Sequence, residues 1–558
     1  MSQRQPEVAD LDIEELHAMV ARSETSALGA EDREKLSATI DSFSWLLSEL
    51  EKKRTTLAYL RKSFSINTPK TEKTSEVLKN VGAEQPSNDP GQQSDGESDQ
   101  IGDKPKKKPK GHGRNGADDY KGADKVEVPH ESLKPGDPCS ECVKGKVYLQ
   151  KPQRLIRLRG QPPIAATLFE LETLRCNLCG KQFIATPPAD MGEEKYDPTS
   201  VSMIALLKYG SGLPFNRIAK LEGNLGIPLP ASTQWDYLNR AAQVGVLVYD
   251  ELGWYLANGG VIYHDDTTMK ILSLLKENQR IRADGSGERT GIFTTGFVGT
   301  FDGHKIAIFR TGRQHAGENL RDLLEKRSAD LDAPIQMCDG SSRNEMSLHT
   351  FLANCLAHGR RKFVEVAQSF PPECRYVLET LRLIYKNDDV CREEKMSPGE
   401  RLCYHQAHSA KPMADLKHWM SGQFEERKVE PNSSLGGAFS YMLKRWDKLT
   451  LFLRQPGAPL DNNICERALK KAILHRKNAL FYKTENGARV GDIFMSLIYT
   501  AELSGENPFD YLVALHQHPE QVRSAPHQWL PWNYRETLAA LAKAPANDIF
   551  IQAPARTA

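Results

Sequence analysis

Residues 461–478 read DNNICERALKKAILHRKN, a carboxylate set among cations at helical spacing. At about 100° per residue, Glu466, Lys470 and Lys477 share one side of such a helix, while Ala468, Leu469, Ala472 and Ala479 make a weaker apolar side. A charged centre of this kind suits a polyanion. The plainer reading is a capping box between Asn463 and Glu466, with Lys470 a solvated i,i+4 partner. Two more acids shift the balance: Asp265 follows the apolar run at 259–264, and Asp339 follows another at 334–338. A lone Asp after a strand commonly serves a turn or caps a helix. Three carboxylates gathered from distant parts of a chain are a different matter, because they match the needs of phosphodiester cleavage. Without a covalent intermediate, that reaction requires a deprotonated water and a stabilised leaving oxygen, and two Mg²⁺ ions about 3.5–4 Å apart supply both. Hard oxygen ligands suit Mg²⁺ better than Cys or His. Nearby Lys and Arg hold the polyanion in line.

The elements that must position these acids follow from pattern. Residues 259–266 (GGVIYHDD) predict a buried strand ending in two acids, followed by a polar loop over 276–290. Residues 291–301 and 305–310 are β-rich and joined by Asp302-Gly303, a hairpin signal. A helix over 315–326 and a short strand over 334–340 complete the set. Three strands, a helix and a fourth strand, with Asp on the first and fourth, match a ribonuclease-H-like mixed sheet. A long, largely helical region then runs to about 452. It contains CLAHGRRKF at 355–363, where Arg360, Arg361 and Lys362 could grip phosphate. Cys355 and His358 have ligand-like spacing, but with no second pair evident they read as one helix face.

At 558 residues the chain needs several cores. Its net charge of +1 hides strong local segregation and does not argue against nucleic acid. No run approaches a membrane span, and the polar, acidic start lacks signal-peptide order. Ten cysteines, mostly scattered, fit a reducing cytosol better than a disulfide framework. From 36 to 64 the apolar positions alternate by three and four, a heptad seam that calls for a partner helix, whether self-paired or on the chain's own body. Residues 67–125 are polar and low in large apolar groups, which predicts a disordered linker. Within it Lys106, Lys107, Lys108 and Arg114 form a basic run able to contact phosphate. Cys139 and Cys142, then Cys176 and Cys179, make two knuckles spaced for a zinc ribbon, a closed structural Zn²⁺ site. Residues 197–256 read as helical with a helix-turn-helix cadence, the second helix capped by Ser232 or Thr233.

Together these stretches resemble the DDE transposases of the Insertion Sequence 66 family. The resemblance runs through Gly111 to Arg114, the cysteine knuckles, Lys208-Tyr-Gly with Leu213-Pro, and Asp265-Asp-Thr. It continues through Cys355 to Phe363, Asp461 to Leu469, and Arg476-Lys-Asn. It implies a catalytic triad of Asp265, Asp339 and Glu466 holding Mg²⁺ (or Mn²⁺), with Lys470, Arg476 and Lys477 holding DNA nearby. The family usually has Asp-Glu-Thr-Pro at the first acid; Asp265-Asp266-Thr267-Thr268 stands here, so Asp266 rivals Asp265 as first ligand. The implied layout is a multidomain α+β chain. It comprises an N-terminal coiled-coil helix (1–66), a basic linker (67–125), a zinc ribbon (126–190) and a helical DNA-binding region (191–257). A ribonuclease-H-like core follows (258–502, helical insertion about 350–452), then a C-terminal helical tail (503–558). The implied function is strand cleavage at element ends and transfer of the 3′-OH into target DNA. Implied partners are double-stranded DNA (terminal inverted repeats and target), a homodimer or higher oligomer on DNA, and companion proteins of the same element, in a bacterial, nucleoid-associated cytoplasm. The alternatives are an inactive DNA-binding derivative and a nuclease that cuts without joining.

Overall fold

The computed structural model describes residues 194–284, 289–344 and 348–543. It also describes 132–138, 146–148, 150, 161–175, 182–188, 191–192, and the isolated positions 29, 35–37, 74 and 77. The heptad seam apart from residues 35–37, the linker apart from positions 74 and 77, and the four knuckle cysteines lie outside these residues; Thr74 and Val77 are helical and buried, Val77 in a hydrophobic core, where a disordered linker was expected. Gln85–Pro163 is one compact unit, and Met1–Glu84 with Ile164–Ala558 is the other. In the first, the described backbone turns at 134–137 and returns through a bridge between Pro138 and Lys146.

The second unit is a mixed α/β body. After a small hairpin (β1, Thr173–Arg175; β2, Gln182–Ile184) come α1 (Pro198–Ala205), a π-helical turn (Leu206–Gly210), α2 (Phe215–Asn224) and α3 (Ala231–Ala257). The predicted helical stretch is therefore present. The predicted caps Ser232 and Thr233 lie inside α3, because Pro230 is its N-cap. The sheet is built from β3 (Val261–Thr268), β4 (Phe293–Phe301), β5 (His304–Gly312), β6 (Ile335–Cys338) and β7 (Phe351–Asn354), in the order β5-β4-β3-β6-β7. β3, β4 and β5 pair antiparallel, while β6 and β7 join in parallel. Asp302 and Gly303 have φ of 47° and 80°, the left-handed pair that a tight hairpin demands. Between β3 and β4 lies α4 (Leu272–Asp284), where a polar loop was expected. Leu274 and Ile281 on the helix, with Ile271 just before it, bury one stripe under a polar surface, and that sparse stripe was the overlooked signal. β7 was also read as helix; four residues are too few to show a period.

β4 lies inside the sheet and is buried from Phe293 through Gly299, as a strand covered on both faces should be. β5 is an edge, and α13 (Glu485–Leu503) covers it. Thr500 Oγ1, Ser496 Oγ and Asp492 Oδ2, spaced four apart on the helix, accept from the backbone N–H groups of Ala307, Phe309 and Thr311, spaced two apart on the strand. Four helical residues rise about 6 Å and two strand residues about 6.7 Å, so the two periods nearly coincide. Side chains thereby satisfy an edge that would otherwise invite another strand.

Burial pushes the Asp492 carboxyl up to about 7, against hydrogen bonds from Thr311 that favour its ionised form. Unfolded, this group ionises near pH 4, so between about pH 4 and 7 the folded chain binds more protons. Its contribution is thus full below pH 4, falls as pH rises through 7, and is flat above. The unfolding free energy of Asp492→Asn, relative to wild type, should rise across that window by on the order of a few kcal/mol. Denaturant melts at several pH values check this; a pH-independent difference would contradict it.

Beyond β7, α5 having spanned Ala316–Leu324, the helices are α6 (Leu356–Val366), α7 (Pro371–Glu393), α8 (Pro398–His408), α9 (Ala410–Glu425), α10 (Ser434–Lys444) and α11 (Trp446–Leu449). This is the predicted helical block. It makes a core of its own around Phe363, Leu381, Met420 and Phe439, continuous with β6 and β7. The chain then enters α12 (Asn463–Ala479), followed by α13 and α14 (Pro508–Gln517). No helix among the described residues is long and apolar enough to cross a membrane.

Candidate active site

The parallel register of β3 on β6 pairs Tyr263 with Met337. Two residues further along each strand stand Asp265 and Asp339, level with one another and on the same face. Asp339 is the first residue past β6. Its Oδ1 accepts from Ser341 N at 3.2 Å and Asn344 Nδ2 at 2.6 Å. Behind it, Arg445 from the helical block donates to the Gly340 carbonyl through Nε (3.1 Å) and Nη2 (2.8 Å). A Cβ on Gly340 would sit within 2.8 Å of Tyr441 and closer still to Arg445, so the arginine clamp requires glycine there.

Glu466 arrives on α12, and a second glycine lets the helix come close. Gly296 on β4 pairs with Asp265. An added Cβ at Gly296 would lie 3.0 Å from Leu469 and 3.7 Å from Cys465 Sγ. Cys465 Sγ donates to the Gly296 carbonyl at 3.2 Å, and Asn462 Nδ2 donates to the His264 carbonyl at 3.0 Å. The apolar side read from the sequence, Ala468, Leu469 and Ala472, is buried with Cys465 and His475. The far end of α12 is fixed twice. Arg476 Nη1 donates to Thr267 Oγ1 (3.0 Å), Thr268 O (2.5 Å) and Thr268 Oγ1 (2.8 Å), and buried Lys208 from the π-helical turn lies 3.0 Å from His475 Nε2. Burial lowers Lys208 to about 8; burial and then Lys208 lower His475 to about 3, so the imidazole is a neutral acceptor.

The capping box expected between Asn463 and Glu466 does not form. Asn462 is the N-cap, and Asn463 turns its amide to Asp461 Oδ2 at 2.8 Å. The Glu466 carboxylate instead faces α6, with Oε1 3.6 Å from His358 Nδ1 and Oε2 3.9 Å from Arg361 Nη2. His358 Nδ1 and Glu466 Oε1 are both buried and have no hydrogen-bond partner. Cys355, the N-cap of α6, stands beside them: one donor atom each from Cys355, His358 and Glu466 all lie within 4.8 Å of one another. The third member of this group comes from another helix, which is why spacing along 355–363 could not reveal it.

Burial raises the Asp265 carboxyl to about 7. The nearby Asp339 carboxylate adds to this, the Asp266 N–H offsets part of it, and Asp266 and Glu466 push the same way. Asp339 and Glu466 thus both act on Asp265 although the chain separates them widely. Asp266, the rival first acid, projects to the opposite face, as strand alternation requires. Its Oδ2 lies 3.2 Å from His315 Nδ1 and 3.4 Å from Ala316 N, at the start of α5. An anion at a helix N-terminus stabilises it. Asp266→Asn should therefore cost about 1 kcal/mol in thermal melts at neutral pH; an unchanged melt would contradict this capping role.

The predicted polyanion-holding cations divide. Lys470 and Lys477 are exposed on α12, on the Glu466 side. Arg361 reaches Glu466, and Arg360 Nη2 donates to Thr74 Oγ1 at 3.2 Å. Arg476 is a brace between α12 and β3. Lys106, Lys107, Lys108, Arg114, Cys139, Cys142, Cys176 and Cys179 lie outside the described residues.

A family model described as "Transposase IS66 family" matches residues 194–490, which include all three acids. The chain is 25% identical to the uncharacterized protein y4jD of Sinorhizobium fredii (strain NBRC 101917 / NGR234) over 377 residues, 64% of this chain and 71% of that protein. It is 26% identical to the uncharacterized protein y4hP of the same strain over 381 residues, 64% of this chain and 65% of that protein.

Proposed function

The chain belongs to the IS66 transposase family, and from that premise we propose that it cuts DNA at the ends of its element and joins the freed 3′-OH to target DNA, with Asp265, Asp339 and Glu466 as the catalytic acids. One observation supports the reading: the β3–β6 register aligns the strand that carries Asp265 with the one that leads into Asp339, and the charges of Asp339 and of Glu466 on α12 both act on Asp265. The mixed sheet order, with one acid on the central strand β3, one just past its parallel neighbour β6 and one on a later helix, supports a ribonuclease-H-like core with the helical block as its insertion.

The donor set fits a hard divalent cation. It is all carboxylate oxygen, and the burial that raises Asp265 is an electrostatic demand for positive charge. Mg²⁺ (or Mn²⁺), when bound, supplies the Lewis acidity that activates water or a 3′-OH and neutralises the leaving oxygen. Asp265 and Asp339 would share the cations and Glu466 would complete the second position. Asn344 and Ser341 orient Asp339, while Arg445 fixes the turn that carries it. Exposed Lys470 and Lys477 lie on the side of α12 from which a phosphate backbone could approach Glu466. The basic linker, the zinc ribbon at 126–190 and the helices at 191–257 are proposed to bind the terminal repeats. Two or more chains would pair the ends, companion proteins of the element would assist, and the setting would be the bacterial nucleoid.

The test is incubation of the full chain with DNA carrying the element's inverted repeats and Mg²⁺. The expected products are a nick with a free 3′-OH and joined strands. End-specific binding without cleavage under any divalent metal would instead mark an inactive derivative. Cleavage without joining would mark a nuclease.

A further inference from the structure

Glu466 sits at a junction between two sets of donors that differ in hardness. On one side are the aspartates of β3 and β6. On the other, Cys355, His358 and Glu466 are the group of metal-ligating side chains whose donor atoms all fall within 4.8 Å among the described residues; Asp265 and Asp339 do not belong to it. In this arrangement the glutamate is turned toward the cysteine and histidine.

We infer that Cys355 Sγ, His358 Nδ1 and Glu466 Oε1 form a second divalent-metal site, one for a thiophilic ion of the Zn²⁺ class. Four features support it. The donor set of one sulfur, one imidazole nitrogen and one carboxylate oxygen, with a fourth position left open, is the zinc pattern of three protein ligands. Two of the donors, His358 Nδ1 and Glu466 Oε1, are buried and 3.6 Å apart, within ion-pair reach of each other, yet neither has a hydrogen-bond partner, and a shared cation would satisfy both. In a tetrahedron with bonds of about 2.0 Å to N or O and about 2.3 Å to S, donors stand roughly 3.3–3.7 Å apart, so closure needs movements of about 1 Å. The backbone is also set for it: Cys355 and His358 lie on one turn at the start of α6, and the Asn462 N–H already points at Cys355 Sγ from 3.2 Å, a hydrogen bond that would strengthen to a metal-bound thiolate. Coordination expels the thiol proton to solvent, and the ion's affinity supplies the cost.

The consequence rests on the transposase reading above. An ion here holds Glu466 away from the aspartates, so a soft metal opposes a hard one for the same carboxylate. Zn²⁺ then inhibits cleavage competitively with Mg²⁺, although both are divalent cations bound at neighbouring positions.

The experiment counts metal on the full chain. Zn²⁺ content after equilibration and desalting is compared for wild type, Cys355→Ser and His358→Gln, with Co²⁺ as the spectroscopic probe of a thiolate ligand. The difference from wild type separates this site from the other cysteines. The inference expects one ion per chain fewer in both variants and a weaker thiolate-to-cobalt absorption in Cys355→Ser. It also expects the Zn²⁺ concentration that halves Mg²⁺-driven cleavage to rise at least about tenfold in both. Equal metal content in all three proteins overturns it. Because Cys355 is buried, circular dichroism checks that variant's fold, and the partly exposed His358→Gln decides alone if Cys355→Ser does not fold. If no chain cleaves DNA, the transposase reading fails while the metal count still decides this one.

Discussion

Asp339→Asn and Glu466→Gln should each lower Mg²⁺-dependent cleavage by about 10³-fold or more, at least ~4 kcal/mol of transition-state stabilisation, with end binding unchanged. The amides keep the shape of each side chain and remove the charge that a cation needs. Asp265→Asn should do the same, and it should also reveal what the site costs the fold. With no cation bound, the folded chain holds a buried carboxyl whose ionisation is pushed to about 7 by burial and by Asp339. Unfolded, the same group ionises near pH 4, so its ionised form disfavours folding as pH rises through 7. Above pH 7 and without divalent ions, Asp265→Asn should therefore melt higher than wild type while being inactive; added Mg²⁺ should raise the wild-type melt alone. Full activity in both Asp339→Asn and Glu466→Gln would refute the catalytic assignment.

The second large effect concerns a residue with no side chain. At Gly296, a methyl would meet Leu469 at 3.0 Å, so Gly296→Ala requires that leucine to retreat by a few tenths of an ångström. Gly296→Val adds two more carbons where α12 crosses β4. Overpacking of this kind costs about 1–3 kcal/mol in stability. The larger loss should be in rate: displacing Glu466 by about 1 Å costs about 10²-fold in cleavage. Combining Gly296→Ala with Leu469→Ala should restore much of the activity that Gly296→Ala removes, because the leucine supplies the clash. Melting curves and single-turnover cleavage read the two effects separately. A Gly296→Val protein that cleaves at the wild-type rate would show that α12 does not need this close seat.

What could be read before the structure was local. Alternating and apolar runs announced β3 to β6, Asp302-Gly303 announced its hairpin, and the three-and-four spacing of Ala468, Leu469 and Ala472 announced the buried side of α12. The proposed acids stood out because each lies next to such a signal. What was hidden came from pairings across the chain. Asp265 and its neighbour Asp266 look alike in one dimension, and only strand alternation with α5 on one face sends Asp266 to His315. Asn463 and Glu466 had the spacing of a capping box, but Asn462 was drawn to the His264 carbonyl and set the helix start differently. Arg476 was assigned to the polyanion, yet the end of β3 presents three oxygens that take up its guanidinium. Gly296, Gly340 and Arg445 carried no sequence signal, since each matters only through what the fold brings against it.

The most direct measurement is anomalous diffraction from crystals of the full chain soaked in Mn²⁺. The expected map has a manganese peak bridged by the carboxylates of Asp265 and Asp339, with Glu466 swung from His358 to a position beside it. Manganese bound elsewhere, with those two aspartates bare at saturating concentration, would contradict the account.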